Sequence, residues 1–405
     1  MIKNNLSFTN NIQQKYLKYN FLKKLLKEFP KVIHTINSDI KSPDKTLNVL
    51  NNKFKFNFTI TDLKKFKKFK TIAIIGMGGS ILGAEAIYDF LKVKIKKNIY
   101  FFDDLNPKSI SNIKKRENLN KVLFLIISKS GNTVETLSNI FALNIIKHKA
   151  QNVIVISEKK NNLLFSLAKK FDLFYVEHPN HIGGRYSVLS EVGIIPAYLM
   201  GINTLKLRSS ILKFLKGKEM LFLKDSAIKL ACLLNSKKIN NLIFLCYSSE
   251  LKKLLFWCQQ LIAESLGKKN RGFLPVISSA PKDHHSLLQL YLDGPKDKLF
   301  HIFSLEEKSK EKIIIKKGVN IDKFLNKKKI STVKIAQKNA LINAFKKNKI
   351  PFREFKIKKN DEEVLGKLFS YFILETVAVG KLIKVDPYNQ PAVEQVKIYT
   401  KKLLS

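Results

Sequence analysis

The chain has 405 residues, room for two or three domains of ordinary size, and its 45% apolar content allows substantial buried cores. Lys and Arg number 74 against 32 Asp and Glu, a net charge of +42, but the surplus runs along the whole chain rather than collecting in a tail or on one helix. It reads as compositional bias that helps to steer an anionic substrate, with no specific nucleic-acid partner expected.

No apolar run approaches the ~20 residues that span a bilayer, so no membrane association is expected. The opening MIKNNLSFTNN lacks the apolar core of a secretory signal. Cys232, Cys246 and Cys258 have neither metal-ligand spacing nor the even count of a disulfide framework. A cytoplasmic chain with reduced thiols is the expectation.

In chain order, residues 1–55 read as a helical N-terminal extension, with YLKYNFLKKLLKEF as one amphipathic helix. LKKFKKFK (63–70) interleaves Phe with Lys in the manner of an RNA-binding surface, yet Leu63, Phe66 and Phe69 recur every three residues, as one buried helical face does. From Thr71 strand-like runs alternate with helical patterns: TIAIIG, NIYFFDD, KVLFLIIS and NVIVIS. Near-continuous apolar strands between helices predict a parallel sheet covered on both faces. The pattern restarts after about residue 205 with NLIFLCYS, LKKLLFWCQQLIAESLG, KLFHIFSLE, a mixed basic stretch and PFREFKI. A long helical segment, DEEVLGKLFSYFILETVAVGKLI, precedes a last helix after DPYNQP. The expected fold is therefore α/β, with a first α/β/α domain over 56–205, a second over 206–385 and a C-terminal helix over 386–405.

Two loops carry the chemistry. GMGGS follows the first strand and resembles the start of a dinucleotide site: Gly76 and Gly78 fit that fingerprint, and the next strand ends in Asp103 and Asp104. The sixth position, however, is Ile81 rather than Gly. No phosphate-loop pattern of the G-x-x-x-x-G-K-[ST] type occurs. The loop after the third strand, ISKSGNTVET, offers Ser128, Ser130 and Thr133, with Gly131 permitting a tight turn into a helix whose N-terminus favours an anion. A phosphate monoester could be held there without a metal, with GGS (Gly78, Gly79, Ser80) closing over it, because ligands sit beyond the carboxyl ends of such strands. An ordinary helix start capped by Thr133 or Thr136 would look the same.

GMGGS, SKSGNTVET, GGRYSVLSEVG, QQLIAESLGKK, DHHSLLQLYLDGP and NQPAVEQVKIYTKKL together resemble the glucose-6-phosphate isomerase family, in that family's chain order and from about residue 71 onward. The resemblance implies two sugar-isomerase (SIS-type, flavodoxin-like) α/β/α domains, a homodimer, no cofactor or metal, and aldose–ketose isomerisation of glucose 6-phosphate and fructose 6-phosphate. That chemistry needs a carboxylate base spanning two carbons, an acid–base group to open the ring, and positive charge near the oxyanion.

The motif match makes Glu264 the proton-shuttling base, with apolar neighbours Leu261, Ile262 and Ala263 suggesting partial enclosure. It selects His285 over the adjacent His284 for ring opening, reaching the partner subunit's site. Lys397 would assist ring opening; it shares a helical face with Gln390 and Glu394, at spacings of four and three. Gln390 could touch the phosphate, and Arg185 would stabilise the enediolate, unless it merely caps a helix or pairs with Glu191. Lys129 would add charge to the phosphate grip and Gln260 would face the sugar. Rival readings are a related sugar-phosphate isomerase, including a dual glucose/mannose enzyme, and a non-catalytic sugar-phosphate-binding regulator. The regulator would have no reason to carry Glu264, His285 and Lys397 together.

Overall fold

The apolar runs become the strands of two five-stranded sheets in the computed structural model, which describes residues 5–306, 311–315 and 323–404. The strands are β1 (Leu6–Asn11), β2 (Thr71–Ile75), β3 (Asn98–Phe102), β4 (Val122–Ile127), β5 (Val153–Ser157), β6 (Phe174–Glu177), β7 (Asn241–Cys246), β8 (Leu274–Ser279), β9 (Lys298–Leu305) and β10 (Phe352–Ile357). β2, β4 and β5 are buried at every residue, as strands covered on both faces must be.

The first sheet runs β3-β2-β4-β5-β6, parallel throughout. The second runs β8-β7-β9-β10-β1, parallel except at its β1 edge. Both sheets thus share one winding order, second-first-third-fourth, and differ in who fills the fifth place. In the first sheet it is the next strand along; in the second it is the N-terminal strand, lying antiparallel with Leu6 opposite Ile357.

That strand corrects the reading of residues 1–55 as a helical extension, which placed no strand there. Leu6 is buried and Phe8 stacks on Phe222 with ring centres 4.4 Å apart. Leu6 and Phe8 are the strand's only apolar residues before Asn10 and Asn11, too short an alternation to mark a strand, and it is the open edge of β10 that recruits the segment. The following helix, Tyr19–Lys41, is also longer than expected, running through Pro30 while burying Leu25, Phe29, Ile36 and Ile40 along one stripe. Two short edge strands, β6 and β8, were not anticipated. β8 carries Pro275, which a ladder tolerates only at an edge.

LKKFKKFK divides between a short helix, Ile60–Lys64, and a 3-10 turn, Lys65–Lys68. Leu63, Phe66 and Phe69 are all buried, so the spacing of three is structural. The helix Glu362–Leu382, capped by Asp361, is buried nearly throughout, so its periodicity is largely lost among apolar residues on several sides. Much of the basic stretch after β9 lies outside the described residues. Across the two halves, the helix Leu82–Leu91 after β2 packs on the helix Lys252–Leu266 after β7, which brings the ends of both sheets together.

Candidate active site

In the first sheet the winding reverses between β2 and β4, and the two loops singled out in the sequence leave the carboxyl ends of those strands. Such a switch point opens a crevice. A cavity of about 440 Å³ lies there, with Gly79, Ser80, Lys129, Ser130 and Thr133 on one side and Gln260, Glu264, Arg185, Gln390 and Lys397 on the other.

Backbone geometry builds the first side. Gly78 and Gly131 take left-handed conformations, with φ of +53° and +68°. A Cβ on Gly131 would fall 1.7 Å from Asn162 Oδ1, so only glycine fits that turn. Thr133 occupies the N-cap position of the helix Val134–Leu143, but its hydroxyl does not cap it. Instead it lies 2.8 Å from Ser128 Oγ and 3.4 Å from Ser130 Oγ. Ser130 and Thr133 line the cavity, whereas Ser128, 2% exposed, stands behind Thr133.

Lys129 donates to the Asn180 carbonyl at 2.8 Å and pairs with Glu158 at 3.5 Å. Burial pushes its ammonium pKa down, and the Glu158 carboxylate opposes that. Glu158 also pairs with Lys160, and both line the cavity. Sequence reasoning missed these two; their signal was position, since ISEKK leaves the carboxyl end of β5.

The helix Lys252–Leu266 carries the second side. Glu264 is partly enclosed, its side chain 29% exposed. One carboxylate oxygen accepts from Gln260 Nε2 at 2.9 Å, the other from Arg185 Nη1 at 3.1 Å. Gln260 Oε1 is buried without a partner. Arg185 is 2% exposed and lies over the Tyr186 ring, 5.2 Å from its centre. Its partner is Glu264; Glu191 instead accepts from the Asn57 backbone N–H at 2.9 Å. Gln390 accepts from Arg185 Nη1. Lys397 is exposed at the rim, donating to Glu394 at 2.6 Å.

His285 is not brought into this cavity. It is exposed in the loop after β8, while its neighbour His284 is tied to Tyr247, Nε2 to hydroxyl oxygen 2.8 Å.

Two doubly wound sheets, parallel but for the β1 edge, meeting at a cleft lined by hydroxyls, ammonium groups and an Arg–Glu pair define a protein of the sugar-isomerase type. A family model described as phosphoglucose isomerase matches residues 61–272. The chain is 32% identical over 359 residues to a glucose-6-phosphate isomerase of Methanocaldococcus jannaschii, covering 83% of this chain and 85% of that one. A probable glucose-6-phosphate isomerase of Methanococcus maripaludis is 33% identical, covering 87% and 82%. The fold matches the crystal structure of a glucose-6-phosphate isomerase from Chlamydia trachomatis with a TM-score of 0.75 at 16% identity, covering 99% of this chain and 88% of that one. The chain belongs to the phosphoglucose isomerase family.

Proposed function

We propose that this chain interconverts glucose 6-phosphate and fructose 6-phosphate as a homodimer, by ring opening and proton transfer through a cis-enediol(ate). The observation that carries this is one cavity holding the Ser130–Thr133 hydroxyls on one wall and the Arg185–Glu264 pair on the other. Ser80, Ser130 and Thr133 grip the phosphate, Ser128 orients Thr133, and Lys129 adds positive charge. Glu264 takes the proton from C2 of the open aldose. The C–H electrons form the C1–C2 double bond and the carbonyl electrons move onto O1. Glu264 then returns the proton to C1 as the O2 hydroxyl proton passes to O1, leaving O1 a hydroxyl and O2 the ketone oxygen, so atoms and charge balance. The developing oxyanion takes over an Nη1 hydrogen that Arg185 now shares with Gln390. Gln260, with its unpartnered Oε1, accepts from a sugar hydroxyl.

Lys397 and a His285 supplied by the partner subunit open the ring; an exposed His285 outside its own chain's cavity is what such sharing requires. Among the described residues no helix is long and apolar enough to cross a membrane. A coupled assay converting fructose 6-phosphate to glucose 6-phosphate, run with chelator present, tests the reading. No turnover would sink it.

A further inference from the structure

We propose that Ser265 and Tyr186 are positioning residues. They form a directed hydrogen-bond relay that fixes Arg185 and moors the segment leading to Gln390 and Lys397. The catalytic consequence rests on the isomerase reading; the relay itself does not.

Arg185 Nε–H donates to Ser265 Oγ at 2.8 Å. Ser265 Oγ lies 2.8 Å from the Tyr186 hydroxyl oxygen, which lies 2.8 Å from the Pro387 carbonyl oxygen. The direction follows from hydrogen counting. Pro387 O can only accept, so Tyr186 must donate its single hydrogen there; otherwise two acceptors would face each other at contact distance. Ser265 then donates to Tyr186 and accepts from Arg185, and no hydrogen is left over. Ser265 and Tyr186 are fully buried, where each unmade bond would carry the full cost of desolvation.

The rest of the Arg185 guanidinium is equally committed. Nη2 donates to the Pro387 and Asn389 carbonyls at 2.7 and 3.1 Å, and Nη1 serves Glu264 and Gln390. Five N–H donors meet five acceptors. Three remote stretches, 185–186, 265 and 387–390, therefore meet at one buried node, and it is Nη1 that bonds the cavity-lining Glu264 and Gln390. The terminal helix Glu394–Leu404 beyond it is exposed from Glu394 to Tyr399, so its placement depends on how residues 387–390 are held. Lys268, donating to the Asp386 carbonyl at 2.6 Å, is a second tie to the same segment. With Nε held by the relay and Nη2 by the Pro387 and Asn389 carbonyls, Nη1 is aimed between Glu264 and Gln390. A shift of about an ångström there would misplace both the oxyanion donor and Lys397.

The test is a double-mutant cycle on the full chain with Tyr186→Phe and Arg185→Lys, and Ser265→Ala as a second entry into the relay. Tyr186→Phe keeps the ring and removes only the hydroxyl. It should lower kcat about tenfold with KM changed less than about threefold, because the phosphate hydroxyls sit on a different loop. In the Arg185→Lys background the same change should cost less than about twofold, because the relay then has no Nε–H to orient. Equal losses in both backgrounds would overturn the proposal. A parallel cycle of urea midpoints needs no activity: non-additive shifts are expected, and strictly additive ones would overturn the relay even if turnover is lost for other reasons. A wild-type chain without isomerase activity would instead sink the isomerase reading and leave the urea cycle to decide the relay.

Discussion

Gly79 and Gly184 meet backbone against backbone: a Cβ on Gly79 would lie 2.2 Å from the Gly184 carbonyl carbon and 2.5 Å from Arg185 N. This contact presses the loop after β2 onto the turn that presents Arg185. It is one-sided, since a Cβ on Gly184 would approach nothing closer than 3.8 Å. Gly79→Ala should therefore force main chain apart, costing ~1–3 kcal/mol or more of stability in urea unfolding and most of the activity. Gly184→Ala should leave stability within ~1 kcal/mol, apart from glycine's own backbone entropy. Similar effects from the two substitutions would show that the contact is not what holds the loops together.

Glu264→Gln retains shape and loses the base. Its turnover should fall below ~1% of wild type while sugar-phosphate affinity, measured by calorimetry, stays within about tenfold. Substantial residual turnover would remove Glu264 from the proton-transfer step.

Thr133→Ala should raise KM more than it lowers kcat, because a phosphate grip away from the reacting carbons acts mainly as binding. A lost bond to a charged group is worth ~1.5–3 kcal/mol. Ser128 touches Thr133 and does not line the cavity, so adding Ser128→Ala to Thr133→Ala should change KM little further. Full additivity would mean that Ser128 contacts the phosphate itself.

His178 is buried, contacts the Pro179 carbonyl at 2.9 Å through Nδ1, and is held down to about 4 by desolvation. The unfolded chain takes up this proton near the ordinary 6.5, the folded chain only near 4. Stability linked to the neutral ring is thus complete above about 6.5 and lost as pH falls toward 4, by ~3 kcal/mol at most. Glu85 and Glu191, raised to about 7 by burial, act with the opposite sign: their contribution is complete below 4.5 and lost as pH rises through about 7. The measurement is therefore a difference. Urea midpoints of wild type and His178→Gln should converge as the pH is lowered from about 7 to 4, and parallel curves would refute the assignment.

Mixing the inactive variants His285→Ala and Glu264→Gln and letting subunits exchange should restore roughly a quarter of wild-type activity. Half the dimers would be mixed, each with one intact site. If both residues serve one pocket within one chain, mixing restores nothing.

The repeated alternation of buried strands and helices was legible in the sequence because a strand covered on both faces must be apolar at every position, as β2, β4 and β5 are. The loops GMGGS and SKSGNT could be read for the same local reason: positive φ and clustered hydroxyls depend on residues adjacent in the chain. Tertiary structure alone decided the rest. β1 is a strand because the edge of β10, some 340 residues away, was free to pair with it. Arg185 found Glu264, Ser265 and Pro387 through a meeting of segments that no local pattern encodes. Glu158 and Lys160 joined the cavity only because β5 ends beside β4. Local sequence sets which backbone conformations and periodicities a segment can adopt. Which side chains share a pocket depends on closing long loops, and that free energy is settled only when the two sheets pack together.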